Sequence, residues 1–175
     1  MVYALGNLGA RILYETGGAD HTSIDWTWKN RSAGRAFIEH TLLVADCEVA
    51  AMCATRSRRD VSWINDNAIL ANAPEATRKA KNPFRLVART RINGENADLA
   101  LVPDSVFGLD FTAERKRKYF FLEADRATMP IERSDLTQSS YRRKLLAYLA
   151  AHRARQHVER LGFSNLRVLS VTTSA

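Results

Sequence analysis

Two apolar runs separated by a charged turn constrain this chain more than any other stretch. Leu99 to Val102 leads through Pro103-Asp104 into Val106, Phe107 and Leu109. Glu114-Arg115-Lys116-Arg117-Lys118 follows, and Tyr119-Phe120-Phe121-Leu122 then delivers Glu123 and Asp125. Apolar runs of this length on either side of a turn read as a β-hairpin. Side chains two apart on a strand share a face, so Glu123 and Asp125 point the same way, and pairing of the runs brings Asp104 toward them. Three carboxylates at the edge of an apolar sheet are costly unless a cation neutralises them. Hard divalent cations such as Mg²⁺ and Mn²⁺ prefer such oxygen ligands. Asp104, Glu123 and Asp125 are therefore a candidate metal site. The competing reading is an exposed hairpin whose acids are solvated or paired with nearby arginines.

The rest of the chain supplies helices to cover such a sheet. Its 175 residues suit one domain with a real core. Val2 to Leu5 reads as a short strand, Gly6 to Gly9 as a turn and Ala10 to Glu15 as a short helix. Trp26 and Trp28 alternate at strand spacing in a polar stretch, which predicts a loop or short strand with the tryptophans covering a core edge. Ala36 to Thr55 predicts a long helix whose stripe includes Phe37, Leu42, Val44, Ala45, Glu48, Val49 and Met52. Glu39, His40, Asp46 and Glu48 stand out on it; a carboxylate of this helix is a candidate to assist the sheet acids, Glu39 first among them, and so is His40. Val61 to Ile64 reads as a strand, Asn65 to Asn82 as a loop around a short helix, and Phe84 to Arg91 as an alternating strand before an Asn93-Gly94 turn. Ser134 to Leu161 predicts a second long helix, capped by Asp135, Ser139 or Ser140 and stopped by Gly162. Its inward stripe reads Leu145, Leu146, Tyr148, Leu149, His152 and Val158, with Arg142, Arg143, Lys144, Arg153, Arg155 and Arg160 on the other face. Leu166 to Thr172 reads as a buried final strand. The order is helix, three or four strands, long helix, strand: an α/β sandwich with a mixed sheet.

Charge narrows the partners. The 26 basic against 19 acidic residues leave a net charge of +7, an argument for an anionic partner, chiefly nucleic acid, and not for any fold. No apolar run is long enough to span a bilayer and no signal-peptide pattern opens the chain, so a cytoplasmic protein without a membrane partner is expected. Cys47 and Cys53 lie six apart on one predicted helix and read as buried free thiols rather than a disulfide or metal pair. No GxGxxG, P-loop, nucleophile elbow, HExxH or paired CxxC is present, which removes the commonest nucleotide, hydrolase and zinc readings.

Four segments together carry a resemblance: Phe37-Ile38-Glu39-His40-Thr41-Leu42, Leu101-Val102-Pro103-Asp104-Ser105-Val106-Phe107, Phe120-Phe121-Leu122-Glu123-Ala124-Asp125-Arg126 and Arg143-Lys144-Leu145-Leu146-Ala147-Tyr148. In order and spacing they resemble the replication-relaxation proteins of bacterial plasmids and mobile elements. The resemblance implies a winged helix followed by a body like the PD-(D/E)xK nucleases, a mixed sheet flanked by helices in the order αβββαβ. Residues 1–18 would be the remnant of the winged helix and 19–175 the nuclease-like domain. Asp104 would be the acid after proline, Glu123 the second metal-binding acid and Glu39 the acid of the first helix. Position 125, usually lysine, is Asp here, so a cation from Lys144, Arg143 or Arg126 would have to replace it.

Three functions compete. One is a DNA-binding protein of plasmid replication, relaxation or transfer, touching the backbone through Arg115, Lys116, Arg117, Arg142 and Arg143. Another is a Mg²⁺- or Mn²⁺-dependent endonuclease or nickase using Asp104, Glu123, Asp125, Lys144 and Glu39. The last is a protein-interaction module without nucleic acid. Plasmid replication or mobilisation proteins are partners under the first two, and the sequence sets no oligomeric state.

Overall fold

The computed structural model describes residues 5–16, 26–92, 95–135 and 138–173. The chain forms two compact units, residues 1–42 and 43–175. The strand expected at Val2 to Leu5 and the Asn93-Gly94 turn lie at or beyond the edge of the described residues.

In the first unit, α1 (Asn7–Glu15) and α2 (Trp26–Ser32) precede the start of α3 (Arg35–Arg56). The expected turn at Gly6 to Gly9 is instead mostly the first turn of α1. The tryptophan stretch is helical rather than extended, and Trp28 is 69% exposed, so it does not cover a core edge. Asn7 and Thr27 tie the two short helices: the Asn7 Oδ1 accepts from the Thr27 amide at 3.1 Å. The long helix α3 forms where its periodicity placed it, yet none of its described side chains is buried, and Phe37, Leu42 and Val49 are exposed. Cys47 is half-buried and Cys53 exposed, so the expectation of buried thiols fails, although both are free.

The second unit holds a four-stranded sheet ordered β1-β4-β5-β6, where β1 is Val61–Ile64, β4 Ser105–Phe111, β5 Lys116–Asp125 and β6 Arg167–Thr172. The first three strands are antiparallel and β6 runs parallel to β5. A second sheet is the hairpin of β2 (Leu86–Ile92) and β3 (Glu95–Leu101). The single strand expected from Leu99 to Leu109 is thus two strands in two sheets. Pro103 has no amide hydrogen to give a ladder, and the chain leaves β3 at Leu101 and enters β4 at Ser105.

The core draws on both sheets together with α6 (Tyr141–Arg153) and α7 (Gln156–Leu161). Leu86 opposite Leu101 and Ala88 opposite Leu99 form the buried face of β2–β3, while Arg89 pairs with Asp98 on the other face at 2.9 Å, the alternation expected of a half-buried hairpin. α6 (Tyr141–Arg153) packs on β2 and β3. Its buried Ala147, Ala150 and Ala151 add little bulk, while Tyr148 meets Phe121 of β5 with ring centroids 6.0 Å apart. Ser140 is fully buried and caps α6, accepting from the Arg143 amide at 3.2 Å. The residues before Tyr141 are not helical, and the expected single helix breaks at Arg155, which takes a left-handed conformation before α7 (Gln156–Leu161). Gly162 ends α7 at φ +77°, as a glycine stop should.

Two further expectations are corrected. The alanine stripe, not Leu145 and Leu149, faces inward on α6; those two leucines and His152 are exposed. β6 is an edge strand with no buried residue, rather than a buried one. The loop of 65–85 carries two short helices, α4 (Asp66–Ala71) and α5 (Glu75–Arg78).

Candidate functional site

The end of β5 is where strand pairing and α6 deliver polar groups into an apolar interior. Val106 stands opposite Phe121 and Ser105 opposite Leu122, so the next rung back sets Asp104 beside Glu123. Asp104 extends the ladder in two ways. Its amide donates to the Leu122 carbonyl at 3.0 Å, and its Oδ2 accepts from the Ala124 amide at 2.8 Å. The acid after the proline therefore brackets Glu123 along the strand.

Glu123 is only 4% exposed. Both of its oxygens are engaged from α6: Oε2 accepts from the Lys144 ammonium and Oε1 from the Tyr148 hydroxyl at 2.5 Å. Lys144, Ala147, Tyr148 and Ala151 recur at helical spacing, and the last three are buried. Lys144 thus lies on the core-facing stripe, contrary to its expected place on the outer face. Burial raises the Glu123 carboxyl above the usual glutamate range; hydrogen bonds from Lys144 and Tyr148 and the lysine charge pull it back, and the Asp104 charge pushes it up again. Tyr148 is held far more firmly protonated than an ordinary tyrosine, by burial first and then by the charge and acceptor of Glu123 beside it. At neutral pH the phenol is a hydrogen-bond donor and not a base.

Asp125 shares the strand face of Glu123 but lies two residues on, roughly 7 Å along β5, where its rung is Thr172 of β6 and not Asp104. Among the described residues, no group of three or more His, Cys, Asp or Glu side chains is placed to hold a metal ion. One Asp104 oxygen accepts from the Ala124 amide, and one Glu123 oxygen accepts from the Lys144 ammonium.

The family model described as replication-relaxation matches residues 1–165. The chain belongs to the replication-relaxation family. No curated protein and no solved structure matches it. Membership suggests a role in plasmid replication or relaxation.

The remaining candidates in this replication-relaxation protein are spread more widely. Glu39 lies in the first unit, where it pairs with Arg35 one turn earlier at 2.6 Å, and His40 is half-buried there. In the second unit it is Glu48 of α3 that meets the sheet, accepting from the Ser105 hydroxyl next to Asp104. Glu48, Asp66, Pro103, Asp104 and Ser105 line a cavity of about 280 Å³. The basic candidates form two groups. Arg115, Lys116 and Arg117 sit at the start of β5, with Arg115 left-handed in the turn, Lys116 3.6 Å from Glu114 and Arg117 paired with Asp110 at 2.9 Å. Arg142 and Arg143 sit at the start of α6, where Arg142 pairs with Glu132. Seven residue steps along β5, about 23 Å of strand, separate Lys116 from Glu123.

Tyr148 is the site residue that sequence reasoning missed as a polar group. Its position on the expected inward stripe predicts core packing, and it packs there as well. The signal was its spacing: four residues after Lys144, it must share whatever Lys144 faces.

Proposed function

We propose that this protein binds DNA in plasmid replication or relaxation, contacts the backbone through basic surface groups, and uses the nuclease-like end of β5 as a structural element. Family membership supports the process, and the net charge of +7 supports an anionic partner. The sheet β1, β4, β5 and β6, taken with α3 and α6, runs helix, three strands, helix, strand in sequence, which favours a body related to the PD-(D/E)xK nucleases. The observation that favours binding over cleavage is the closed Lys144–Glu123–Tyr148 contact. Each Glu123 oxygen accepts a hydrogen bond from α6, which ties the end of the strand to the helix and gives the buried carboxylate a structural role.

The test is a titration of labelled duplex DNA with the full chain at increasing salt. Backbone binding gives a steep linear fall of log affinity with log salt. No binding at low salt refutes the proposal.

Metal-dependent cleavage remains a second reading because Asp104 stands beside Glu123 and a lysine reaches the same carboxylate, from α6 rather than from position 125. Calorimetry with Mn²⁺ on the wild type and Glu123→Ala decides it. Saturable binding lost in the variant supports a carboxylate metal site, and no binding to either sinks the nuclease reading.

A further inference from the structure

A second polar cavity lies between the loop leaving α5, the start of β2 and helix α7, and shares Asn82 with the cavity at Asp104. Its volume is about 380 Å³, and Ala80, Lys81, Asn82, Arg85, Val87, Gln156 and Arg160 line it. Three cations face one cleft that no Asp or Glu lines. Like charges held together raise one another's energy, so such a cluster is stable in proportion to the counter-charge it receives.

Two details show that the cleft is built rather than accidental. Gln156, one turn before Arg160 on α7, fixes the floor: its Oε1 accepts from the Val87 amide at 2.8 Å and its Nε2 donates to the Val87 carbonyl. That pair of bonds anchors α7 to β2. The second detail is the Arg160 Nε, which is buried and finds no acceptor among the described residues. A buried guanidinium N–H without a partner carries a desolvation cost, and the same Arg160 side chain lines the cleft. Lys81 and Arg85 are exposed and make no ion pair among the described residues.

A guanidinium fork suits the tetrahedral oxygens of phosphate, and flanking lysine and arginine side chains supply charge without demanding one orientation. We propose that the Lys81–Arg85–Arg160 cleft holds a backbone phosphate of bound DNA, resting on the DNA-binding reading above. The cleft then positions the duplex on the second unit, separately from the turn at Arg115 and the start of α6.

The experiment is fluorescence anisotropy of a labelled duplex against the full-length wild type, Lys81→Gln, Arg85→Gln and Arg160→Gln over a salt series, with calorimetry of inorganic phosphate alongside. Each variant is expected to weaken DNA binding roughly fivefold to tenfold and to lower the salt slope by about 1. The two exposed residues carry the test if Arg160→Gln fails to fold. Wild-type binding with Lys81→Gln and Arg85→Gln unchanged overturns the cleft while leaving the DNA-binding reading intact. Loss of phosphate binding in the variants with DNA affinity unchanged makes it a small-anion site and overturns the DNA assignment. A wild type that binds no DNA overturns both.

Discussion

Lys144→Met isolates the buried ion pair at the end of β5. The Lys144 side chain is 27% exposed and that of Glu123 is 6% exposed, so the variant leaves a carboxylate in a nearly dry environment with Tyr148 as its remaining donor. Removing one partner of a buried pair costs about 3–5 kcal/mol. Partial solvent access at Lys144 and the retained Tyr148 bond reduce this to about 2–3 kcal/mol at neutral pH. The loss must depend on pH in one direction. Burial already holds the Glu123 carboxyl above its ordinary value of 4.5, and without the lysine it rises further. A group raised in the folded state contributes stability that is present below its unfolded value and lost as pH climbs through the folded one. The cost of Lys144→Met is therefore small in acid, where Glu123 is protonated with or without the lysine, and larger at neutral pH. Urea denaturation at both pH values measures it, and Lys144→Met combined with Glu123→Gln should recover most of the neutral-pH loss because neither charge remains. An equal cost at both pH values, unrelieved in the double variant, would mean that only the packing of the lysine stem was lost, and the ion-pair account would fall.

Three other perturbations test the frame around that site. Ser140→Ala removes the buried cap of α6 and is expected to cost about 1 kcal/mol in urea denaturation; unchanged stability contradicts the cap. Gly108→Val places a branched side chain where even a Cβ comes within 3.1 Å of Tyr119 and 3.2 Å of Ile64, so about 1–3 kcal/mol is lost to overpacking, read as a drop in melting temperature. His157 is buried, stacked on His152 at 5.0 Å, and its charged form is disfavoured first by burial and then by His152 and Arg155. Its lowered value gives stability that is present above the ordinary 6.5 and lost as pH falls below it; His157→Leu should flatten that acid limb of the urea midpoint, and an unaltered limb refutes the assignment.

The hairpin of β4 and β5 was readable because its evidence is local: two apolar runs, a charged turn, and alternation that fixes faces. The β2–β3 hairpin was half readable. Leu86 and Ala88 against Val87 and Arg89 gave the period, but nothing in the sequence said that Leu99 to Leu101 pairs backward with them instead of running on into β4. Pro103 was the clue, since a missing donor breaks a ladder. The helices failed at their ends for similar reasons. A caps-and-periodicity reading merges α6 with α7, because the break at Arg155 rests on a left-handed residue that is not glycine, and such a residue leaves no mark in composition.

The site divides along the same line between local and long-range information. That Asp104 meets Glu123 follows from pairing register, which the residues themselves specify. That Asp125 stays apart follows from where β4 begins, since a strand starting at Ser105 has no rung left to offer it. The cation is the long-range part. Lysine is absent from position 125, and the strand offers no substitute on that face. Its replacement reaches Glu123 from 21 residues away on another element, and only the packing of α6 through its alanines brings it there. Leu145 and Leu149 made the wrong face of α6 look like the core because hydrophobicity was weighed without size. A helix that must lie close to a sheet buries its small residues, and a polar group on that stripe is then forced to find a partner inside. For Lys144 that partner is Glu123, and the same geometric demand explains why Tyr148 keeps its proton.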